Sequence, residues 1–192
     1  MSRSDDVRNL LDESVAALSA LREQADIIAG IAERVAEALR AGGTLFLCGN
    51  GGSAAQCQHI AAEFTGRFKL ERRGLRAVAL TTDTSALTAI GNDYGFEDVF
   101  SRQVEALARP GDMLLGLSTS GGSKNVLRAM ETGGRMGLTT VALVGPTGGA
   151  LADAADLCLA APADTTANVQ ECHIAALHIV CDIAERELAG DR

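Results

Sequence analysis

Two stretches of helical periodicity open the chain. Leu11, Val15, Leu18 and the Leu21/Arg22 step fall on one stripe, and Ile27, Ile31, Val35 and Leu39 fall on a second, so the first forty residues predict two amphipathic helices. Ala41-Gly42-Gly43 closes the second. Beyond it the apolar positions gather into short runs: Thr44–Cys48, Arg76–Leu80, Asp112–Leu117, Thr139–Val144 and Leu157–Ala160, each predicted as a strand. Four of them end in small or polar residues: Gly49-Asn50-Gly51-Gly52, Thr81-Thr82-Asp83, Ser118-Thr119-Ser120-Gly121-Gly122-Ser123 and Gly145-Pro146. Helical segments separate the runs, and Thr166–Leu188 predicts a long final helix. Strands alternating with helices predict an α/β fold with a parallel sheet covered on both faces and right-handed crossovers. Ligands in such sheets bind beyond the carboxyl ends of the strands, where the glycine and serine clusters fall. No linker or repeat divides the chain, so residues 1–192 are expected to form one domain, with a helical pair at 1–42 and an α/β core at 43–192. The helical pair has no strand partners, so its apolar stripes must pack on this domain or on another subunit.

Composition narrows the function. Aromatic residues make up 3% of the chain and Trp is absent, so the core must be aliphatic. Gly occurs 21 times, which suits tight loops that approach a ligand. The formal net charge of −8 argues against nucleic acid as a partner, because phosphate backbones need clustered Lys and Arg. A small phosphate can still be held locally by backbone N–H groups. Met1–Asp12 is polar, and no apolar run is long enough to span a membrane, so a cytoplasmic protein without a membrane partner is expected. The five cysteines, Cys48, Cys57, Cys158, Cys172 and Cys181, have no paired spacing and are expected to be small buried hydrophobes.

Gly49-Asn50-Gly51-Gly52-Ser53-Ala54 fits G-x-G-x-x-A after a strand, a weak dinucleotide signal that also suits a tight turn with Ser53 as N-cap. A P-loop is excluded, because no Lys-Ser or Lys-Thr follows. The hydroxyl-rich loop at 118–123 says more. Amides and hydroxyls at a helix N-terminus suit a phosphate monoester, although an N-cap within a polar turn would use the same residue types. His59 and Glu63 share one helix face at i, i+4, with Glu63 set among Ile60, Ala61, Ala62 and Phe64. A carboxylate there needs a partner or a raised pKa. If that helix meets the last one, His59 and Glu63 with Gln170 and His178 would form a compact acid–base or metal site. His173 is expected to be structural.

These residues resemble the sugar isomerase (SIS) domain of sedoheptulose 7-phosphate isomerases, also called phosphoheptose isomerases. The resemblance rests on the run from Cys48 to Ala55, on Gln58-His59 and Ala62-Glu63-Phe64, and on Thr81 to Ser85 with Leu87 to Phe96. Ser118 to Gly121 with Ser123, and Gln170-Glu171 with His173 and His178, complete it. It implies a five-stranded parallel sheet, a homotetramer with sites at subunit interfaces, and conversion of sedoheptulose 7-phosphate to D-glycero-D-manno-heptose 7-phosphate. It places substrate contacts at Asn50, Gly51, Gly52, Asn92, Asp93, Ser118, Thr119, Ser120 and Ser123; Ser53, Glu63 and Gln170 join them as candidates. It places one zinc ion per subunit on His59, Glu63, Gln170 and His178. The chain departs from the common family pattern at Gly122, where Asn is usual, and at Gln56-Cys57, where Asp-Ala is usual.

Aldose–ketose isomerisation moves a proton between C1 and C2 through an enediol and needs a base, an acid and an electrophile. Glu63 is the candidate base and His178 the candidate acid. Three other readings use parts of the same sequence. A non-catalytic relative that binds a replication initiator would dispense with Glu63 and His178. A sugar-phosphate-sensing regulator would need a DNA-binding module, and the acidic N-terminal helices offer none. An NAD-dependent dehydrogenase would leave the serine loop unexplained.

Overall fold

The computed structural model describes residues 2–190. Five strands, β1 (Leu45–Gly49), β2 (Ala77–Ala79), β3 (Met113–Ser118), β4 (Thr139–Val144) and β5 (Leu157–Ala160), form one parallel sheet in the order β2-β1-β3-β4-β5. Among the described residues eight α-helices surround it: α1 (Arg3–Ala20), α2 (Ala25–Arg40), α3 (Gly52–Thr65), α4 (Thr84–Asp93), α5 (Ser101–Leu107), α6 (Lys124–Arg135), α7 (Gly149–Asp153) and α8 (Thr166–Leu188).

Side chains alternate between the two faces of the sheet. Leu45, Leu47, Met113, Leu115 and Leu117 face a cluster built with α2, α3 and α8. Phe46, Cys48, Leu114, Ala142 and Val144 face a second cluster with Val104 of α5, Val126 and Met130 of α6 and Leu151 of α7. Both faces are buried, so the central strands read as unbroken apolar runs. β4, β5 and α8 keep their expected bounds, and β1 and β3 lie one residue later. β2 is three residues long rather than five, with Arg76 O accepting from Leu45 N–H at 2.9 Å and Leu80 N–H donating to Leu47 O at 2.9 Å at its two ends.

The N-terminal pair divides in its packing. α2 buries Ile31, Val35 and Leu39 as its stripe predicts, whereas the only buried residue of α1 is Ala17. Val7, Leu10, Leu11 and Val15 of α1 are exposed. A capping box at Ser2 and Asp5 starts α1, with Asp5 N–H donating to Ser2 Oγ at 3.2 Å and Ser2 N–H donating to Asp5 Oδ2 at 3.0 Å. Among the described residues no helix is long and apolar enough to cross a membrane.

Four cysteines, Cys48, Cys57, Cys172 and Cys181, are buried, and Cys158 is partly exposed. Burial pushes the thiols of Cys48 and Cys181 up to about 12. They pack as apolar groups, not as nucleophiles.

Candidate active site

The strand order reverses between β1 and β3. α3 leaves β1 toward one face, α6 leaves β3 toward the other, and a crevice opens between their first turns. A cleft of about 280 Å³ lies there, lined by Asn50, Gly51, Gly52, Ser53, Leu117, Ser118, Thr119, Ser123, Thr166 and Gln170. A larger hollow of about 560 Å³ between Arg40, Arg72 and Leu188 contains none of the candidate site residues. Gly51 is the N-cap of α3 and sits at φ +55°, which a side chain would resist. α3 therefore starts at Gly52, and Ser53 is a buried first-turn residue, not the N-cap that a tight-turn reading of the loop would make it.

The serine loop folds onto itself. Ser123 is the N-cap of α6, yet its hydroxyl makes no cap bond. It meets Ser118 Oγ at 2.8 Å, and Ser120 Oγ lies 3.4 Å from Ser118 Oγ and accepts from Gly122 N–H at 3.2 Å. Three hydroxyls are gathered at a helix N-terminus, an arrangement suited to an anion with several oxygens. Gly121, at φ +64°, is where the loop passes the backbone of Gly148; an added Cβ would lie 1.9 Å from Gly148 O. Position 122 is open by contrast, with nothing nearer to an added Cβ than Ser120 Oγ at 3.8 Å.

Two residues that sequence reasoning passed over take part. Asn125, buried in the first turn of α6, exchanges two hydrogen bonds with Asn50 at 2.9 and 2.8 Å. Nothing in the residue pattern marks it beyond its place two positions after Ser123. Thr166, first residue of α8, brings a third helix N-terminus and another hydroxyl to the cleft. Asn92 and Asp93 end α4, pair with each other at 2.7 Å and do not line the cleft.

Further along α3 and α8, the histidines meet. His59 Nε2 lies 2.8 Å from His178 Nε2 and 3.5 Å from Glu63 Oε1. Two nitrogens at that distance share one proton, one ring donating and the other accepting. Their rings stand edge to face at 82°, and Phe68 stacks on the other side of His178. Burial lowers the pKa of His178, with the charges of His59 and Lys69 acting the same way and Glu63 opposing. Glu63 thus has the partner that its apolar neighbours demanded. Gln170 does not join this group. Its side-chain amide packs over Gly52, where an added Cβ would meet it at 2.7 Å, and its backbone carbonyl accepts from Gln56 Nε2 at 2.7 Å. Eight residues of helix, about 12 Å of rise, separate it from His178.

Two imidazoles and a carboxylate match zinc in kind. Their spacing is that of a hydrogen-bonded pair and an ion pair, and among the described residues no group of three or more His, Cys, Asp or Glu has metal-site geometry. His173 is structural: it is fully buried, its Nε2–H donates to Val144 O at 3.0 Å, and burial lowers its pKa.

The segment after α3 is fixed from α8. Glu185 is buried and accepts from the N–H groups of Phe68, Lys69 and Leu70 at 2.9, 2.6 and 2.8 Å. Arg72 Nε lies 3.0 Å from Glu185 Oε1 as an ion pair whose N–H is not aligned as a hydrogen bond. Its other nitrogens donate to the carbonyls of Glu63, Phe64, Gly66 and Arg73. Burial alone would raise the Glu185 pKa; the three N–H groups and Arg72 outweigh it and hold it below the usual carboxylate range.

Residues 10–145 match the SIS domain family model. A phosphoheptose isomerase of Roseiflexus sp. is 57% identical over 185 residues, covering 94% of each chain. The structure of a phosphoheptose isomerase from Neisseria gonorrhoeae superposes with a TM-score of 0.91 at 43% identity, covering 96% of this chain and 100% of that one. A phosphoheptose isomerase from Francisella tularensis superposes at 0.93 with 36% identity, covering 97% and 100%.

Proposed function

The chain belongs to the SIS domain family, and from that premise we propose that it is an aldose–ketose isomerase converting sedoheptulose 7-phosphate to D-glycero-D-manno-heptose 7-phosphate. The observation that carries this reading is the placement of a hydroxyl-rich anion loop across a cleft from the first turns of α3 and α8, the two helices that carry the His–Glu–His group. From Gly52 to His59 α3 rises about 10 Å, the scale of an extended seven-carbon sugar. The phosphate fits the loop of Ser118, Thr119, Ser120 and Ser123, with Thr166 and the amides of Gly51 and Gly52 beside it, and C1 and C2 then reach Glu63 and His178.

In the reaction Glu63 takes a proton from C1 of the ketose, and the electron pair forms the C1–C2 double bond of an enediol as the C2 oxygen gains a proton. Collapse of the enediol returns a proton to C2 and leaves the carbonyl at C1. His178, whose neutral form burial favours, can pass a proton between the two oxygens, with its ring held by the shared bond with His59. Phosphate binding holds the reacting carbons in register. One zinc ion per subunit would be held by His59, Glu63 and His178, the three donors that packing brings together; Gln170, the fourth position implied by the resemblance, stands about 12 Å of helix rise away against Gly52. When bound, the ion supplies Lewis acidity toward the two substrate oxygens.

A homotetramer with sites at subunit interfaces suits two further observations. The apolar stripe of α1 is exposed beside a hollow lined by Leu18, Leu21, Ile28, Ile179 and Ile183. Asn92 and Asp93 stand clear of the cleft of their own chain, free to serve a neighbour's. The chemistry and the acidic surface fit a cytoplasmic enzyme.

Incubation with sedoheptulose 7-phosphate, followed by NMR, should show the aldose 7-phosphate accumulate to a constant ratio. Absence of aldose with protein at micromolar concentration and zinc present would sink the assignment.

A further inference from the structure

The parallel ladder between β1 and β3 ends at Gly49 and Leu117. Beyond it the two chains part, one into α3 on the face of α2 and α8, the other into the serine loop and α6 on the opposite face. The two loops that the isomerase reading assigns to the substrate therefore stand on opposite walls of a crevice. The Asn50–Asn125 amide pair crosses it: Asn50 Nδ2 donates to Asn125 Oδ1 at 2.9 Å, and Asn125 Nδ2 donates to Asn50 Oδ1 at 2.8 Å.

We infer that Asn125 is a positioning residue for the isomerisation: through this pair it sets the orientation of the Asn50 amide and the spacing of the glycine loop from the serine loop. The inference rests on the isomerase reading above.

Three features support it. Asn125 is buried in the first turn of α6, so it acts through Asn50 and not by touching substrate. Its Oδ1 also accepts from Val126 N–H at 3.0 Å, which fixes which end of the amide is oxygen. An amide has two N–H donors and two acceptor lone pairs. The pair uses one of each on Asn50, so the remaining N–H and lone pair of Asn50 are aimed by Asn125. An Asn50 freed from it could turn its amide over and present the opposite pattern to a sugar hydroxyl.

The test uses full-length Asn125→Ala, Asn125→Asp, Asn50→Ala and the Asn50→Ala/Asn125→Ala double variant. Each is measured for kcat and KM with sedoheptulose 7-phosphate, for binding of inorganic phosphate by calorimetry, and for thermal midpoint. Asn125→Ala should lower kcat/KM roughly 10- to 100-fold, the worth of one to two buried hydrogen bonds. Phosphate should bind within about twofold of wild type, because the serine hydroxyls are untouched. The double variant should be no worse than its more damaged parent, because both changes remove one pair. Asn125→Asp matches the shape of asparagine but sets a carboxylate oxygen against Asn50 Oδ1, so it should lose kcat/KM at least as far; it also serves where the alanine variant does not fold. Asn125→Ala with wild-type kcat/KM, or single losses that multiply in the double variant, overturns the inference alone. A wild-type protein without turnover overturns the isomerase reading and this inference with it.

Discussion

The Phe68 ring lies over the imidazole of His178, centroids 5.6 Å apart and planes 27° from parallel. What keeps it there is seven residues further along the same helix. Glu185 holds the N–H groups of Phe68, Lys69 and Leu70, and Arg72 balances its charge. A buried carboxylate thus sets the wall of the His178 pocket without touching the ring. Glu185→Ala leaves the Arg72 guanidinium buried and unpaired and should cost about 3–5 kcal/mol in denaturant unfolding. Glu185→Gln keeps the shape and should fold, yet one of its oxygens becomes an N–H₂ facing backbone donors. Its kcat should fall several-fold while inorganic phosphate binds as before. An unchanged kcat in a folded Glu185→Gln enzyme would free Phe68 from that dependence.

Gly121 and Gly122 are neighbours with opposite tolerances. At Gly121 both the positive φ and the backbone of Gly148 oppose a side chain. Gly121→Ala should lose more than about 2 kcal/mol and weaken phosphate binding, since the serine loop must move. Gly122→Ala should stay within about 0.5 kcal/mol of wild type. Equal melting temperatures for the two variants would contradict the backbone contact.

Most of the fold was legible in the sequence because the buried central strands of a parallel sheet are unbroken apolar runs; Leu45–Gly49 and Met113–Ser118, buried along their whole length, lie within one residue of their expected bounds. The glycine and serine loops were legible because their composition is extreme. The i, i+4 spacing of His59 and Glu63 put both on one face, but their meeting with His178 is a fact of helix packing that no local pattern holds. Asn125 was passed over because a lone asparagine after a cap is ordinary by composition; only its partner, 75 residues away, gives it meaning. Gln170 was grouped with His178 from its place two turns earlier on the last helix and from the family resemblance, while packing sets its amide against Gly52, where the missing side chain leaves room. α1 carries a clear apolar stripe that its own chain does not cover.

His173 gives a pH dependence with a definite sign. Burial holds its folded pKa below the ordinary value of 6.5. The unfolded chain therefore binds the proton more readily, and the stability from the neutral buried ring is complete above that value and is lost as pH falls below it. The thermal midpoint should fall between neutral pH and pH 5. His173→Asn, which retains an N–H donor for Val144 O, should be less stable at pH 8 but show a shallower fall. The comparison with the variant separates this from the titration of His178. Parallel curves would place the acid sensitivity elsewhere.

Metal dependence has its own test. Protein stripped by chelator, with residual metal counted by elemental analysis, should lose most turnover and regain it with about one equivalent of zinc per subunit. His59→Ala and His178→Ala should each lower zinc content while inorganic phosphate still binds. Full activity in metal-free enzyme would leave the reaction to Glu63 and the histidines alone.

In the proposed reaction the proton transfer turns on Glu63, whose carboxylate lies 3.5 Å from His59 and is about one-fifth exposed. Glu63→Gln keeps the length and hydrogen-bonding reach of the side chain but removes its basicity. Sugar phosphate should still bind, because the hydroxyls of Ser118, Ser120 and Ser123 are unaltered. Turnover should fall by roughly two to four orders of magnitude, the usual worth of a positioned base. Loss of zinc would mimic that fall, so metal content must be read in the same sample. Wild-type enzyme in deuterium oxide adds an independent observation. A base that takes the C1 proton and exchanges it with solvent returns deuterium to C2 of the aldose. Label at C2 together with a metal-replete, inactive Glu63→Gln enzyme assigns the base. Near-wild-type turnover by that variant would remove Glu63 from the proton transfer and leave it holding His59 or the metal.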